Sequence, residues 1–399
     1  MERDLLGTPL SGSCRMEEAS ALRSHFAGRS SLRTARTNLM LRQRVVLTTC
    51  EGPFYSAFVE LSMHSAAAPA VPDSPLGRVA SVVRVQLAEV EARIAEQTSA
   101  FDPAIEGYLA YAVGSRGKRL RPLMALLSGG ATGPIKSEHI DLAIVVELIH
   151  LATLVHDDIV DEAERRRSQP TVNARWGNSL SVLLGDCLFA HALHLSANFE
   201  NSEVSRAIAR AAREVCTGEI IQTQRRFDLH LGIDDYLRII QMKTGSLFAV
   251  AAELGAVLSG ANAATAQSLK EFGERVGTAY QIYDDCLDIA GDEEASGKTL
   301  GTDLRKGKLT LPVLMLLRSA PAFEKERCAE LILEGNLTEI TRLVKEAAAN
   351  GALSASIEAG QDLLREAEAG LAGLPASVYG DALVGLSEAV RELFEQVRE

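Results

Sequence analysis

Apolar residues recur every three or four positions along most of the chain after Leu76, which is the spacing of one face of an α-helix. The segment from Val79 to Ile94 shows this pattern clearly, with charged residues between its apolar positions. The alternation of apolar and polar residues that is typical of strands is essentially missing. The pattern therefore predicts an all-α fold in one domain.

The same pattern gives approximate bounds for the longer helices. We predict helices over residues 138–161, 180–199, 203–227, 233–258 and 264–289, followed by amphipathic helices from residue 309 onward. Three segments interrupt this pattern and carry most of the charged residues of interest. They are the segment 114–122, which reads GSRGKRLRP, the charged segment 162–170, and the Gly-punctuated segment 291–308.

The helix around which the chain is organised contains Glu147–Glu162, which reads ELIHLATLVHDDIVDE. It is apolar almost all round until it ends in three aspartates, so we predict that it is buried. Asp157 and Asp161 are four residues apart and therefore lie side by side, with Thr153 and His150 on the same stripe. Because an unpaired buried carboxylate is very costly, we expect metal ions and a polyanionic ligand to compensate these charges.

A second acidic cluster repeats the DDxxD spacing at the end of another mostly apolar helix. Mg²⁺ prefers oxygen ligands and typically binds through a few carboxylates together with substrate phosphates. A lone DDxxD is compatible with a solvated helix end, whereas two copies that each close an apolar helix favour a metal cage for a diphosphate. The candidate metal ligands are Asp157, Asp161, Asp284, Asp285 and Asp288.

Basic residues accompany both aspartate clusters. Arg binds phosphate through its two-pronged guanidinium, and Lys binds it as a point charge. Each basic residue alone is compatible with a solvated surface charge, but together with two sets of carboxylates they indicate two separate diphosphate sites. The candidates are Lys118, Arg119, Arg121, Arg166, Arg167, Lys243, Lys298 and Lys308.

The histidines of the organising helix have alternative interpretations. His150 lies on the Asp157 stripe, where it is either a ligand or a core histidine bonded to a neighbouring carbonyl. The pair His156–Asp157 would suit a metal-dependent phosphohydrolase. That activity needs further metal-binding histidines upstream, and His139 and His150 do not form a convincing set.

The composition mainly excludes certain classes of protein. The net charge of −12 argues against non-specific binding of nucleic acid. The six cysteines show no CxxC pair or other metal-ligand spacing, so we expect reduced cysteines in a cytoplasmic protein. No uninterrupted apolar run approaches the roughly 18 residues of a membrane span. The runs at 142–155 and 247–258 contain charged residues, so we expect a soluble protein without a transmembrane segment.

The N-terminal segment differs from the remainder of the chain. Residues 1–70 hold eight Arg, no Lys and six acidic residues, and the segment ends in AAAPAVPDSP. It is compatible with a transit peptide, with a wrongly assigned start upstream of Met63, or with an extension of unknown role. We favour the second interpretation because steady periodicity is missing. We treat 1–75 as an extension that is disordered or mis-assigned, and 76–399 as the helical domain.

Five segments appear in an order that resembles the trans-polyprenyl diphosphate synthases. They are GKRLRP, the helix end DDIVD with RRR after it, MKTG, YQIYDDCLD and GKTLGTDLRKGKLTLP. The resemblance covers about residues 76–399 and is strongest to octaprenyl and related long-chain synthases, which make quinone side chains. It implies a bundle of antiparallel helices around a central cavity, about three Mg²⁺ ions per active site, and a homodimer.

The resemblance also implies a role for each matching position. The isopentenyl diphosphate site would contain Lys118, Arg121, His150 and Arg167. The allylic diphosphate would be bound by Arg166, Lys243, Thr244, Gln281, Lys298 and Lys308. The catalytic group would consist of Asp157, Asp161, Lys243 and Asp284. Arg116 and Ser168 stand where many members have Gly, which puts only the local loop shape in doubt.

The chemistry that these parts imply begins with neutralisation of the allylic diphosphate by Mg²⁺ and cationic side chains. Departure of that diphosphate leaves an allylic carbocation, which must be shielded from water in an apolar cavity. The double bond of isopentenyl diphosphate then attacks the cation, and loss of a proton gives the next allylic product. The departing diphosphate is a plausible base.

Product length can be argued from the organising helix. Ala152 and Thr153 are small residues where short-chain members of the family often carry an aromatic, and Ile149 lies further from the aspartates. No aromatic residue occurs over 138–157, about 30 Å of helix at 1.5 Å per residue. We therefore predict products longer than C20, near C35–C50. The expected primer is farnesyl or geranylgeranyl diphosphate, and the product would be released through transient membrane contact.

Two rival functions are compatible with parts of this sequence. A class I terpene cyclase also ionises allylic diphosphates with Mg²⁺, but it would not need the site that contains Lys118, Arg121 and His150. A non-catalytic subunit of a heteromeric synthase would not need intact aspartates and arginines.

Overall fold

The computed structural model describes residues 74–114, 117–167, 169–290, 301–319, 321–334, 339, 342 and 351–398. All of them lie in the structural unit Pro69–Glu399. The predictions for residues 1–73, including the proposed start at Met63, therefore fall outside the described residues. The same holds for Lys298 and for the two departures from the family pattern, Arg116 and Ser168.

Helices account for most of the described residues, which confirms the predicted all-α fold. The first helices are α1 (Pro75–Ser81), α2 (Arg84–Glu96), α3 (Pro103–Val113), α4 (Leu120–Thr132), α5 (Ser137–Val160), α6 (Val172–Trp176), α7 (Asn178–Ser196) and α8 (Ser202–Gln224). The later ones are α9 (Ile233–Ile240), α10 (Ser246–Leu258), α11 (Ala263–Ala290), α12 (Thr302–Arg305), α13 (Leu311–Ser319), α14 (Ala322–Glu334), α15 (Ala352–Ala369) and α16 (Val378–Arg398). A 3₁₀ turn, Gln97–Ala100, follows α2.

The charged segment after α5 forms a small hairpin rather than an open loop. Its strands are β1 (Arg165–Arg166) and β2 (Gln169–Pro170), which pair in antiparallel fashion. This pairing folds the arginine segment back beside the end of α5. Arg166 is therefore held near the aspartates, where it pairs with Asp158.

The predicted helix over 233–258 is not continuous. α9 and α10 are joined by a π-helical segment, Gln241–Gly245, which contains the sequence QMKTG. A π-helical turn widens the helix and changes the direction of the side chains within it, and such turns are frequent at functional sites. Periodicity located the helix correctly, but it could not show that five of its residues follow a different winding.

The organising helix α5 is buried over most of its length, as its apolar sequence predicts. Ile144, Val145, Val146, Leu148 and Ile149 have almost no exposed surface. The helix packs mainly against α7 and α4, while α10 packs against α4 and α11. Burial of the apolar surfaces of α5 and α10 therefore fixes the direction in which the aspartate end of α5 points.

Two histidines of α5 contribute to this packing. Nδ1 of His139 accepts the backbone N–H of Lys136 at 3.0 Å, so its Nε2 donates toward the carbonyl of Gly255 in α10. His156 Nε2 lies 3.1 Å from the carbonyl of Val182 in α7. Both rings are thus used in contacts with the backbone of neighbouring elements. A metal-dependent phosphohydrolase would need His139 and His156 as metal ligands, so these contacts argue against that alternative.

Among the described helices, α7 is long and apolar enough to cross a membrane by length and composition alone, although 33% of its most apolar window is buried. Core helices of soluble proteins share these properties. The apolar runs that we considered as candidates in the sequence, 142–155 and 247–258, lie in α5 and α10 instead.

Candidate active site

The aspartates at the end of α5 are surrounded by cations. Asp161 accepts from Lys308 Nζ at 2.7 Å and from Arg226 Nη2 at 2.9 Å. Lys243 Nζ lies 3.6 Å from Oδ2 of Asp157. Desolvation raises the pKa of Asp157, and Lys243 opposes this increase. Burial acts in the same direction on Asp161, but Lys308, Lys306 and Lys243 together outweigh it and the pKa of Asp161 falls below its ordinary value.

The middle aspartate of the first cluster has a different environment. Arg166 donates from Nε at 2.9 Å and from Nη2 at 2.8 Å to the same oxygen of Asp158. Desolvation raises the pKa of Asp158, and the hydrogen bond and charge of Arg166 lower it again. Asp158 thereby fixes Arg166 beside the other two aspartates. The allylic diphosphate contact predicted for Arg166 stays a prediction.

Lys243 projects from the π-helical segment into an acidic and polar pocket formed by α8. Its ammonium forms an ion pair with Glu219 and donates to the amide oxygen of Gln222 at 3.0 Å. Burial lowers the pKa of Lys243, but Asp157 and Glu219 together raise it above its ordinary value. The lysine is therefore charged and held in one direction. Sequence reasoning identified Lys243 and missed the two residues that hold it.

A glycine allows α8 to approach this lysine. A Cβ atom at Gly218 would lie 2.7 Å from the backbone nitrogen of Lys243 and 3.0 Å from Cβ of Met242. Contacts this short do not occur in relaxed structures, so any other residue would push the two elements apart. Gly218 therefore permits Glu219, the next residue, to reach the ammonium group.

Thr244 connects the π-helical segment to the second aspartate helix through buried hydrogen bonds. Its hydroxyl donates to the amide oxygen of Gln281 at 2.8 Å, and Nε2 of Gln281 donates to Asp285 at 2.9 Å. The other oxygen of Asp285 accepts from the Tyr236 hydroxyl at 2.6 Å. Desolvation raises the pKa of Asp285 to about 7. Both carboxylate oxygens of Asp285 are thus engaged by protein donors.

The last aspartate of the second cluster also binds backbone. Asp288 accepts from the N–H groups of Thr302 and Asp303, each at 3.1 Å, and its carboxylate thereby caps the first turn of α12. The loop that follows α12 brings Lys308 to Asp161. The segment 301–308 therefore contacts Asp288 of the second cluster and Asp161 of the first.

A second basic group lies around His150, which precedes the aspartates on α5. Desolvation lowers the pKa of His150 well below its ordinary value, and the charges of Arg121, Arg166, Arg167 and Arg119 lower it further. Four guanidinium groups thus act on one neutral imidazole. This concentration of positive charge is suited to a polyanionic group.

The loop before α4 completes this basic group. Lys118 Nζ lies 3.4 Å from the Tyr280 hydroxyl and 5.4 Å from the centre of that ring. A Cβ atom at Gly117 would lie 3.2 Å from the guanidinium of Arg167, so the loop and the hairpin touch. Arg121 stacks over the Phe248 ring at 4.7 Å. The structure therefore brings together Lys118, Arg121, His150 and Arg167, and sequence reasoning missed Tyr280.

Tyr280 also relates this group to Asp284. Burial raises the pKa of Tyr280, and the charge of Asp284, one helical turn further along α11, raises it further. Asp284 acts on Arg121 as well. Asp284 therefore acts on the basic group around His150, whereas its neighbour Asp285 accepts from Tyr236 in α9.

The residues predicted to control product length lie on different sides of α5. Thr153 is partly exposed on the stripe of His150 and Asp157, and its hydroxyl donates to the carbonyl of His150 at 2.7 Å. Ala152 and Ile149 are fully buried among neighbouring helices. The roles predicted for these three residues stay predictions.

The donor set fits Mg²⁺ that shares its ligands with a diphosphate. Within the described part of the chain, no three His, Cys, Asp or Glu side chains stand close enough to hold a metal ion by themselves. Mg²⁺ commonly uses one or two carboxylates and completes its coordination with water and phosphate oxygens. Asp157 and Asp161 already attract cationic groups in the chain alone. They are therefore suitable ligands for an ion that arrives with its substrate.

Fold and site together define a class of protein: an all-α protein with two basic groups beside paired aspartate clusters. Comparison with known proteins agrees with this class. The family model described as polyprenyl synthetase matches residues 102–349. The octaprenyl diphosphate synthase of Escherichia coli (strain K12) is 33% identical over 313 residues, which are 78% of this chain and 97% of that protein.

Solved structures give the same result. A polyprenyl synthase from Caulobacter crescentus CB15, complexed with calcium and isoprenyl diphosphate, has a TM-score of 0.75 at 37% identity, covering 79% of this chain and 97% of the other. A decaprenyl diphosphate synthase from Rhodobacter capsulatus also has a TM-score of 0.75, at 35% identity, covering 81% and 100%. The chain belongs to the polyprenyl synthetase family. It is a prenyltransferase, and its relatives support elongation of long all-trans prenyl chains, as predicted.

Proposed function

We propose that the chain condenses isopentenyl diphosphate head-to-tail (1′–4) with farnesyl or geranylgeranyl diphosphate in an Mg²⁺-dependent reaction. The product is an all-trans polyprenyl diphosphate of C35–C50 that supplies a quinone side chain. The observation that carries this proposal is the presence of two basic groups beside one helix, α5. One gathers around Asp157 and Asp161, and the other around His150.

The group at the aspartates binds the allylic diphosphate. Lys243 and Lys308 offer ammonium groups, and Asp157, Asp161 and Asp284 offer carboxylates to Mg²⁺. Bound Mg²⁺ would supply Lewis-acid neutralisation of the departing diphosphate. Thr244 and Gln281 are fixed by their mutual hydrogen bond and present polar atoms to the same space. Lys298, predicted for this site from the sequence, would add a further ammonium group.

Asp285 and Asp288 accept from donors of the protein, and their predicted role as metal ligands stays a prediction. Asp285 orients Gln281 and accepts from Tyr236, and Asp288 holds the first turn of α12. We therefore assign both residues a positioning role, in which they fix the residues that contact substrate.

The group at His150 binds isopentenyl diphosphate. Lys118, Arg121 and Arg167 supply positive charge, and the neutral imidazole supplies one N–H donor. The C–O bond of the allylic diphosphate breaks with its electron pair on the diphosphate. The double bond of isopentenyl diphosphate forms the new C–C bond. The condensed cation then loses a proton to the departing diphosphate.

Apolar side chains protect the allylic cation from water. Phe248 lies directly under Arg121, and its neighbours on α10 are buried. The growing chain extends along α5, away from the aspartates and toward Thr153 and Ile149. Because residue 152 is alanine and not an aromatic residue, it does not block this path.

We further propose a cytoplasmic homodimer that touches the membrane transiently to release its product. Val182 and Leu183 on α7 and Ile220 on α8 are exposed apolar residues on helices that contact each other. An exposed apolar surface of this kind is suited to a second copy of the chain. The match to heptaprenyl diphosphate synthase component 2 of Bacillus subtilis (strain 168), at 36% identity over 69% of this chain, raises a subunit role as the alternative.

Incubation of the purified protein with labelled isopentenyl diphosphate, farnesyl diphosphate and Mg²⁺ tests this function. Chromatography should show linear products near C35–C50. Cyclic hydrocarbons would instead indicate a terpene cyclase. Absence of turnover by the pure chain would indicate that it is one component of a heteromeric synthase.

A further inference from the structure

Asp161 is shared between two cations that come from different elements. Its Oδ1 accepts from Arg226 Nη2 at 2.9 Å, and its Oδ2 accepts from Lys308 Nζ at 2.7 Å. Lys308 follows α12, while Arg226 lies just beyond the end of α8. No motif in the sequence singled out Arg226.

A backbone contact holds these two cations together. The N–H of Phe227 donates to the carbonyl of Gly307 at 2.7 Å. Phe227 adopts φ 60° and Gly307 adopts φ 76°, and both values lie in the left-handed region. A Cβ atom at Gly307 would also lie 2.5 Å from the Phe227 ring. A non-glycine residue in the left-handed region is strained, so tertiary contacts must hold Arg226 and Lys308 in register.

Further cations lie at this point. Desolvation lowers the pKa of Lys306, the charges of Lys308 and Arg226 lower it further, and Asp161 and Asp303 oppose them. Arg226 Nε is in addition buried and finds no hydrogen-bond acceptor within the part of the chain that the structure describes. A guanidinium that has one free donor and lies beside other cations is suited to bind an anion.

We infer that Arg226 is a further diphosphate-binding residue of the allylic site. This inference rests on the proposed function and adds to it a residue that lies outside the five sequence motifs. In the chain alone, Asp161 holds the guanidinium in place. Nη2 also lies 3.4 Å from the carbonyl of Val160, so Nε is the donor that would serve an oxygen of the diphosphate. Arg226 thereby neutralises negative charge on the leaving group together with Lys308.

Arg225 provides a matched control. It precedes Arg226 directly and has the same charge, but it pairs with Asp228 and, at 3.8 Å, with Asp235. Its side chain is 43% exposed, compared with 23% for Arg226. Loss of Arg225 therefore removes the same net charge from the same turn without altering the contacts of Asp161.

The test compares Arg226→Gln, Arg226→Lys and Arg225→Gln with the unaltered protein. Isothermal titration with inorganic diphosphate in the presence of Mg²⁺ measures anion binding without turnover. Arg226→Gln should weaken this binding about tenfold, the scale of one lost hydrogen bond to a charged group. It should also raise the KM for farnesyl diphosphate and change the KM for isopentenyl diphosphate less than twofold. Arg226→Lys should recover part of the loss, and Arg225→Gln should behave like the unaltered protein.

Equal diphosphate binding by the unaltered protein and Arg226→Gln would overturn the inference, because Arg226 would then be only a counterion of Asp161. Equal weakening by Arg225→Gln would also overturn it, since the effect would reflect net charge. If the unaltered protein binds diphosphate but makes no elongated product, the proposed function fails while the titration still decides the role of Arg226. Thermal unfolding of each variant identifies any loss of folded protein. If Arg226→Gln does not fold, the diphosphate affinity of Arg226→Lys decides the role of Arg226.

Discussion

At the scale of single residues, the loop before α4 depends on Arg119, a side chain that we do not place against substrate. Arg119 adopts φ 49°, a left-handed conformation that is unfavourable for arginine. Its guanidinium donates to Glu91 at 2.5 Å and to Glu147 at 2.7 Å. Burial lowers its pKa, but these two carboxylates together raise the pKa above its ordinary value. Arg119 thereby anchors the loop between Lys118 and Arg121 to α2 and α5.

Arg119→Met should therefore destabilise the protein strongly. The Glu147 carboxylate is only 3% exposed, and removal of its partner leaves a buried charge uncompensated, which costs about 3–5 kcal/mol. Arg93→Met is the control. Arg93 pairs with Asp141 between the same two helices, but the two side chains are 34% and 42% exposed, so its loss should cost less than about 1 kcal/mol. Urea unfolding measures both, and equal losses would contradict the anchoring role.

The environment of His150 predicts a pH effect on stability. An unfolded histidine titrates near 6.5, whereas the folded pKa of His150 lies well below that value because of desolvation and nearby arginines. Between these two values, the unfolded state binds a proton that the folded state does not. The contribution of His150 to stability is therefore constant above pH 6.5. It decreases as the pH falls below 6.5, by at most about 1.4 kcal/mol per pH unit.

His150→Asn should remove this contribution. The difference in free energy of unfolding between the unaltered protein and the variant should be constant from pH 7 to 8 and should shift against the unaltered protein below pH 6.5. Urea titrations at several pH values measure this difference. A difference that stays constant down to pH 5.5 would show that the imidazole does not have a lowered pKa.

At the scale of elements, the π-helical segment Gln241–Gly245 determines how the two aspartate helices are joined. Lys243 reaches Asp157 on the first, and Thr244 reaches Gln281 on the second. Adjacent residues of a regular helix point about 100° apart, so two neighbours can serve two facing elements. The segment therefore sets the relative position of α5 and α11 at the site.

Gly218→Ala should disturb this arrangement. The added methyl would lie 2.7 Å from the backbone nitrogen of Lys243, so α8 and the π-helical segment must separate. We expect a stability loss of about 1–3 kcal/mol and a higher KM for farnesyl diphosphate. Gly107→Ala in α3 is the control because nothing lies within 4 Å of its added methyl. It should be neutral or stabilise the helix by about 0.5–1 kcal/mol. A Gly218 variant as stable and active as the Gly107 variant would contradict the close approach.

The small residues of α5 predict product length. Ala152→Phe places an aromatic side chain beside the predicted path and should shorten the product. Thr153→Phe, on the partly exposed stripe, should do the same with less strain because it does not overpack a fully buried position. Thin-layer chromatography of the dephosphorylated products measures chain length. Unchanged length in both variants would show that this face of α5 does not contain the growing chain.

At the scale of the whole molecule, periodicity was sufficient for the helical architecture, since each long helix buries one apolar stripe. The motifs were sufficient to identify charged residues that the structure gathers around α5, such as Lys243 and Arg167. The residues that hold them were not predictable. Glu219 is distant from Lys243 in sequence, and only the close approach at Gly218 makes them neighbours.

Sequence spacing also could not show the surroundings of Asp285 and Asp288. A DDxxD motif places its residues on a helix, but the neighbouring elements decide which carboxylate meets the site. Tyr236 and the first turn of α12 occupy these two carboxylates. Such partners depend on tertiary packing, which no local pattern contains.

The central claim is that α5 serves two separate diphosphate sites, one for each substrate. The most direct measurement is the pair of KM values, for isopentenyl diphosphate and for farnesyl diphosphate, in Arg167→Gln and Lys243→Gln. Arg167→Gln should raise the KM for isopentenyl diphosphate about tenfold and change the other KM less than twofold. Lys243→Gln should show the reverse selectivity. If each variant instead raises both KM values to the same extent, the two basic groups do not form separate sites.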